Sequence, residues 1–181
     1  MEERVGEAFE LGEKLTVLGG KLERGMPAPS FTLDSFDSAA GMMNQIQLSD
    51  SNGKIRLLNI VNSLDTPVCH VETQRWESIR VALPPQDVVV YTISMDLPYA
   101  QARWQNEENV NHKMLSAHRS EQFGQDYGVL IKEWRLLQRA VLVIDKENKI
   151  VYAEYVPDQM AEPDYENTVN AIQEAVRNVH A

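Results

Sequence analysis

Ile55-Arg56-Leu57-Leu58-Asn59-Ile60-Val61 is a short, mostly apolar run that passes through the polar Asn62-Ser63-Leu64-Asp65 into Thr66-Pro67-Val68-Cys69. A run of this length after the Asn52-Gly53 turn is the pattern of a strand buried on both faces. From Thr66 onward, Val68, Cys69, Trp76, Ile79 and Leu83 fall close to helical spacing until Pro84-Pro85 stops them. Residues 55–83 therefore read as strand, loop and helix, with a cysteine in the first helical turn.

Asp87 to Ser94 is β-branched and apolar and predicts a second core strand. Asp96-Leu97-Pro98 opens a second helix that runs through Ala100 and Trp104. Ala140 to Ile144 and Ile150 to Val156 flank the polar Asp145–Lys149 as an antiparallel hairpin. Tyr165, Val169, Ile172, Val176 and Val179 form one face of a terminal helix. Before the first strand, Glu7 to Gly20 predicts a small hairpin, with Gly12-Glu13-Lys14 between its apolar stretches. The proline-dense 25–29 segment leads into extended Phe31-Thr32-Leu33, and Asp34 to Asn44 reads as a loop. This element order is α/β, that of a thioredoxin-like three-layer sandwich around a central mixed sheet. With 181 residues, no repeat and no linker, one domain spanning 1–181 is expected, residues 1–24 forming a leading hairpin extension.

A chain that is 43% hydrophobic and 24% charged can bury a core without disulfide or metal staples. Its net charge of -10 would repel phosphate backbones and acidic membrane surfaces, so neither nucleic acid nor membrane is an expected partner. The acidic start leads into no signal-like apolar stretch, and no apolar run approaches the ~20 residues of a membrane helix. The expected setting is soluble, intracellular and cytoplasmic. Cys69 is the sole cysteine, which excludes an internal disulfide and a Cys-x-x-Cys pair.

Thr66 suits an N-cap and Pro67 the first helical position, which makes Cys69 the third. Unpaired N–H groups and the positive end of the helix dipole there favour thiolate over thiol. The Thr66 hydroxyl is also placed to donate to the sulfur. A lone cysteine is more often a small buried hydrophobe. This one, however, follows a polar loop at the carboxyl end of a strand, where sites lie in open α/β folds.

Asn59-Ile60, Leu64-Asp65-Thr66-Pro67-Val68-Cys69, Ser94, Asp96-Leu97-Pro98-Tyr99-Ala100-Gln101, Phe123-Gly124-Gln125-Asp126-Tyr127-Gly128-Val129, Arg139-Ala140-Val141 and Glu162-Pro163-Asp164-Tyr165-Glu166 occur in order. Together they resemble the thiol peroxidase branch of the peroxiredoxins, from about Gly25 to the C-terminus. The resemblance implies reduction of hydrogen peroxide or an organic hydroperoxide by a cysteine thiolate, with no cofactor and no metal. It assigns Cys69 as the peroxidatic cysteine, Thr66 as the hydroxyl that orients thiolate and peroxide, and Arg139 as the distal arginine. It further implies a homodimer built beside the active-site loops. Alone, Arg139 would read as a surface charge. As a stabiliser of transition-state charge, its loss is expected to cost rate far more than stability.

Other polar residues carry plainer expectations. Asp65 and Asp96 suit turns and caps, and Trp76, Trp104 and Trp134 suit packing. His70, His112, His118 and His180 lack metal-site spacing, and His70 should point away from the nucleophile along its helix. Two positions depart from the resemblance: Asn62 stands where a pocket-shaping proline is usual, and Gln105 where a resolving cysteine is common. The expected activity is thus a one-cysteine peroxidase whose sulfenic acid is cleared by an external thiol, small or borne by a thioredoxin-like protein. The alternatives are a peroxide sensor or interaction module with poor turnover, and a plain core cysteine in an inactive relative.

Overall fold

The computed structural model describes residues 1–179; His180 lies outside the described residues. Ile55–Ile60 (β5) is buried along its whole length and lies near the middle of a seven-stranded sheet. It pairs in parallel with Val88–Ser94 (β6), which pairs in parallel with Lys113–Ser116 (β7). The β5 strand pairs on its other side, antiparallel, with Ala140–Ile144 (β10), and β10 with Ile150–Tyr155 (β11). The sheet is completed by Thr32–Asp37 (β3) against β7 and Met42–Gln47 (β4) at the edge. It is therefore mixed, with a parallel centre and antiparallel flanks.

Strand periodicity separates the two layers beside this sheet. Leu57, Val90, Val141 and Val143 face one side, where Trp76 of Pro67–Val81 (α1) and Ile172 of Tyr165–Val179 (α4) pack. Trp104 of Pro98–Glu108 (α2) continues that layer against Val61 and Met114. Leu58, Ile60, Ile93, Leu115 and Leu142 face the other side. They are covered by Phe31, Leu48, Tyr127 and Phe123 of the short helix Gln122–Asp126 (α3). Trp76 has no exposed surface, and its truncation to alanine costs ~3–5 kcal/mol.

A second, four-stranded sheet comprises Glu3–Glu10 (β1), Glu13–Leu18 (β2), Leu130–Ile131 (β8) and Leu136–Leu137 (β9). The leading hairpin is thus present, but it starts at Glu3 and turns at Leu11-Gly12, both at positive φ; Glu13 and Lys14 belong to β2. The hairpin is tied to the C-terminal half: Phe9 N–H donates to Pro157 O at 2.8 Å, and Gln159 N–H donates to Phe9 O at 2.9 Å.

The expected loop Asp34–Asn44 is instead most of the β3–β4 hairpin. Its sequence is polar because β4 is a largely exposed edge strand, and buried Asp34 is neutralised by Arg119 Nε at 2.6 Å. Such an edge lacks the apolar alternation that reveals a half-buried strand. Among the described residues, no helix is long and apolar enough to cross a membrane.

Candidate active site

The first turn of α1 places Cys69 beneath the sheet's carboxyl ends, fully buried among Val61, Leu64, Trp104, Val110 and Met114. Pro67 occupies the start of the helix as expected. Thr66 holds the cap position by its extended backbone, but its side chain makes no cap bond. Its hydroxyl donates to Ser63 O at 2.9 Å rather than to Cys69. A hydroxyl has one hydrogen, so the local turn takes the bond that the sulfur was expected to receive.

Arg139 is the donor that reaches the sulfur. It stands at the entry to β10 with no exposed surface, and its Nη1 lies 3.1 Å from Cys69 Sγ. The same nitrogen donates to Glu72 Oε2 at 2.9 Å, while Nη2 donates to Gln159 O at 2.6 Å and to Asn62 Oδ1 at 3.3 Å. Burial works against the guanidinium's charge, but its contacts with Cys69 and Glu72 outweigh burial and hold its pKa above the ordinary value. Burial dominates at Glu72: although Arg139 pulls the other way, the carboxyl is pushed up to about 8.

Gln159 is the hub of this network. Its Oε1 accepts from Arg139 N–H at 2.9 Å and from Asn62 Nδ2 at 3.0 Å, and its Nε2 donates to Val156 O and Pro157 O. Asn62 is 3% exposed and gives its second amide hydrogen to Leu137 O at 2.6 Å. Both donors being engaged, Asn62 Oδ1 has to face Arg139 and Cys69; it lies 3.9 Å from Sγ.

Asp96 does not cap α2, whose cap residue is Leu97. It braces the loop before α1 instead: Oδ1 accepts from Ser63 Oγ at 2.7 Å, and Oδ2 accepts from Leu64 N–H at 2.9 Å and Ser94 Oγ at 2.8 Å. Asp65 is an exposed turn residue. His70 points to α2, where Trp104 Nε1–H donates to His70 Nδ1 at 3.0 Å. His112 is bound between Thr92 and Glu77, and His118 lies 3.8 Å from Asp34. Gln105 Nε2 donates to His112 O at 2.9 Å. Trp76 and Trp104 are buried, and Trp134 packs against the hairpin cluster.

Sequence reading passed over Glu72 and Gln159. Glu72 had a legible signal: Cys69, Glu72, Thr73 and Trp76 form the buried stripe of α1, and a charged residue in an inward stripe implies a buried partner. Gln159 sits in a polar loop with no periodic context, and nothing in the sequence distinguishes it.

The fold is that of the thioredoxin-like peroxiredoxins, here with a lone thiol held against a buried arginine. Within that class the chain belongs to the AhpC/TSA family, whose pattern matches residues 25–153. It is 39% identical over 167 residues to the thiol peroxidase of Bacillus subtilis (strain 168), covering 92% of this chain and 96% of that one. It is 41% identical over 164 residues to the thiol peroxidase of Streptococcus sanguinis, with 90% and 96% covered. Among solved structures, a peroxiredoxin-like protein from Aquifex aeolicus superposes with a TM-score of 0.81 at 31% identity, over 97% of this chain and 99% of that one.

Proposed function

We propose that this protein is a one-cysteine, thiol-dependent peroxidase that reduces hydrogen peroxide or an organic hydroperoxide at Cys69. The observation that carries the reading is the 3.1 Å approach of Arg139 Nη1 to Cys69 Sγ, both without exposed surface. A buried donor aimed at that sulfur is worth more to charge developing in the reaction than an exposed one.

In the reaction the thiolate sulfur attacks one peroxide oxygen, the O–O bond breaks, and the departing oxygen leaves as hydroxide or alkoxide and takes up a proton. The sulfur is oxidised to the sulfenic acid. Arg139 stabilises charge on the departing oxygen. Thr66 Oγ1 spends its hydrogen on Ser63 O and keeps lone pairs that can accept from the peroxide hydroxyl. With Gln105 in place of a resolving cysteine, an external thiol, small or on a thioredoxin-like protein, attacks the sulfenic sulfur, releases water and leaves a mixed disulfide for a second thiol to reduce. Because Cys69 has no exposed surface, α1's first turn opens to admit that thiol.

The chain acts as one domain, in the cytoplasm, as a homodimer. Exposed Leu97 and Tyr99 at the start of α2, beside the active-site loop, support an apolar contact there. Peroxide consumption under excess dithiothreitol tests the activity: sustained turnover by the wild type and none by Cys69→Ser supports it. A single stoichiometric oxidation without turnover marks a peroxide sensor instead, and no oxidation at all leaves a plain core cysteine.

A further inference from the structure

Asn62 touches the reacting sulfur, and its amide is orientationally locked. Leu137 O and Gln159 Oε1 take both of its hydrogens, so an acceptor oxygen faces Sγ at 3.9 Å. That separation is long for a bond from a thiol hydrogen. It fits a sulfur bearing one oxygen, whose O–H would reach Oδ1 at the ~2.7 Å usual for O–H···O bonds.

We propose that Asn62 Oδ1 is the acceptor for the Cys69 sulfenic acid, holding it in its protonated form until an external thiol arrives. The inference rests on the peroxidase reading of Cys69. A hydrogen bond to the neutral form of an acid disfavours its ionisation. Arg139, 3.1 Å from the same sulfur, acts in the opposite sense and favours a sulfenate anion. The charge on the oxidised sulfur decides its fate. A sulfenate attacks a second hydrogen peroxide, its O–O bond breaks, and the products are sulfinate and water, a step up the oxidation ladder that ordinary thiols do not reverse. A protonated sulfenic acid is the poorer nucleophile toward peroxide and remains an electrophile toward thiols. This chain has no second cysteine to capture the intermediate, so a device that lengthens the sulfenic acid's life serves the external reductant.

The test is the partition of Cys69 between products carrying one and two added oxygens, followed by intact-protein mass spectrometry during hydrogen peroxide addition without reductant. Dimedone trapping identifies the sulfenic acid. Wild type is expected to pause at one oxygen. Asn62→Val removes the acceptor and should raise the second oxidation relative to the first about fivefold, the effect of one lost hydrogen bond. Asn62→Pro should do the same; among the described residues Asn62 N–H donates no loop backbone bond that proline would forfeit. Gln159→Leu frees the amide to turn and should produce a smaller change in the same direction. An unchanged partition in whichever Asn62 variant keeps the wild-type melting temperature overturns the proposal. So does a wild type that passes to two oxygens with no trappable sulfenic acid. Failure of the first oxidation in the wild type would instead overturn the peroxidase reading, so the two failures are distinct.

Discussion

Arg139 and Glu72 meet without solvent contact: Nη1 donates to Oε2 at 2.9 Å, and neither side chain is more than 1% exposed. The same Nη1 faces Cys69, so the group proposed to act on peroxide is also half of a buried pair. Removing the guanidinium leaves Glu72 Oε2, Gln159 O and Asn62 Oδ1 buried without their donor, which costs far more than losing a surface charge does.

Arg139→Ala should therefore lower the rate of the first oxidation by ~10²–10³, the usual loss for one preorganised donor, and destabilise the protein by ~3–5 kcal/mol. The second effect departs from the sequence-based expectation that stability would be largely spared, because burial and the Glu72 contact were not legible. Stopped-flow oxidation and urea melts measure the two separately. An unchanged rate with Cys69 intact would return Arg139 to a structural role.

Glu72→Gln keeps an acceptor for Arg139 but cannot ionise. The native carboxyl, raised from 4.5 to about 8 by burial, binds its proton more tightly folded than unfolded. Its stabilising contribution is complete below pH 4.5 and is lost as pH climbs toward 8. The variant's urea midpoint should fall less than the wild type's across that range. Parallel pH profiles for the two proteins would count against a raised Glu72.

His112 carries the opposite sign. Burial lowers its pKa from 6.5 despite Glu77 beside it, and the His112, Arg80 and Asn111 hydrogen bonds hold Glu77 well below the usual carboxylate range against its own burial. Glu77 is acceptor-only, so neutral His112 donates from Nδ1 at 3.0 Å and accepts from Thr92 Oγ1–H on Nε2 at 2.7 Å. Both groups bind protons more readily unfolded. Stability should fall as pH drops below 6.5 through His112, and again below 4.5 through Glu77. His112→Asn should flatten the upper part of that fall; thermal melts from pH 4 to 7, about the range named, check it.

Gln105→Cys should supply the missing resolving thiol. In the resting fold the Gln105 side chain is held by His112 O, while its neighbour Trp104 packs in the Cys69 cluster, so a bridge requires α1 and α2 to separate locally. One equivalent of peroxide should consume both thiols and give a faster-migrating monomer on a non-reducing gel. A trappable sulfenic acid with position 105 still free would show that these helices do not open.

The strand 55–60, its following helix and the cysteine in the first turn were legible from local pattern, because β-branched runs, a proline at the helix start and apolar periodicity act over a few residues. The terminal helix and both flanking hairpins were legible for the same reason. The β3–β4 hairpin was not, since an exposed edge strand is held by ladder bonds to a partner rather than by its own apolar face. The ordered motifs of the family brought Arg139 forward, where charge alone would have left it on the surface.

Tertiary structure alone decided what surrounds the sulfur. Arg139 lies 70 positions from Cys69 and Gln159 lies 97 from Asn62, and no local rule relates such pairs. The Thr66 hydroxyl turned to Ser63 instead of the sulfur because a short loop put a carbonyl within reach first. The sequence by itself determined that a thiol would begin a helix at a strand's carboxyl end. Which donors and acceptors meet that thiol follows from the requirement that every polar group carried into a dry interior find a partner there, and only the closed fold brings those partners together.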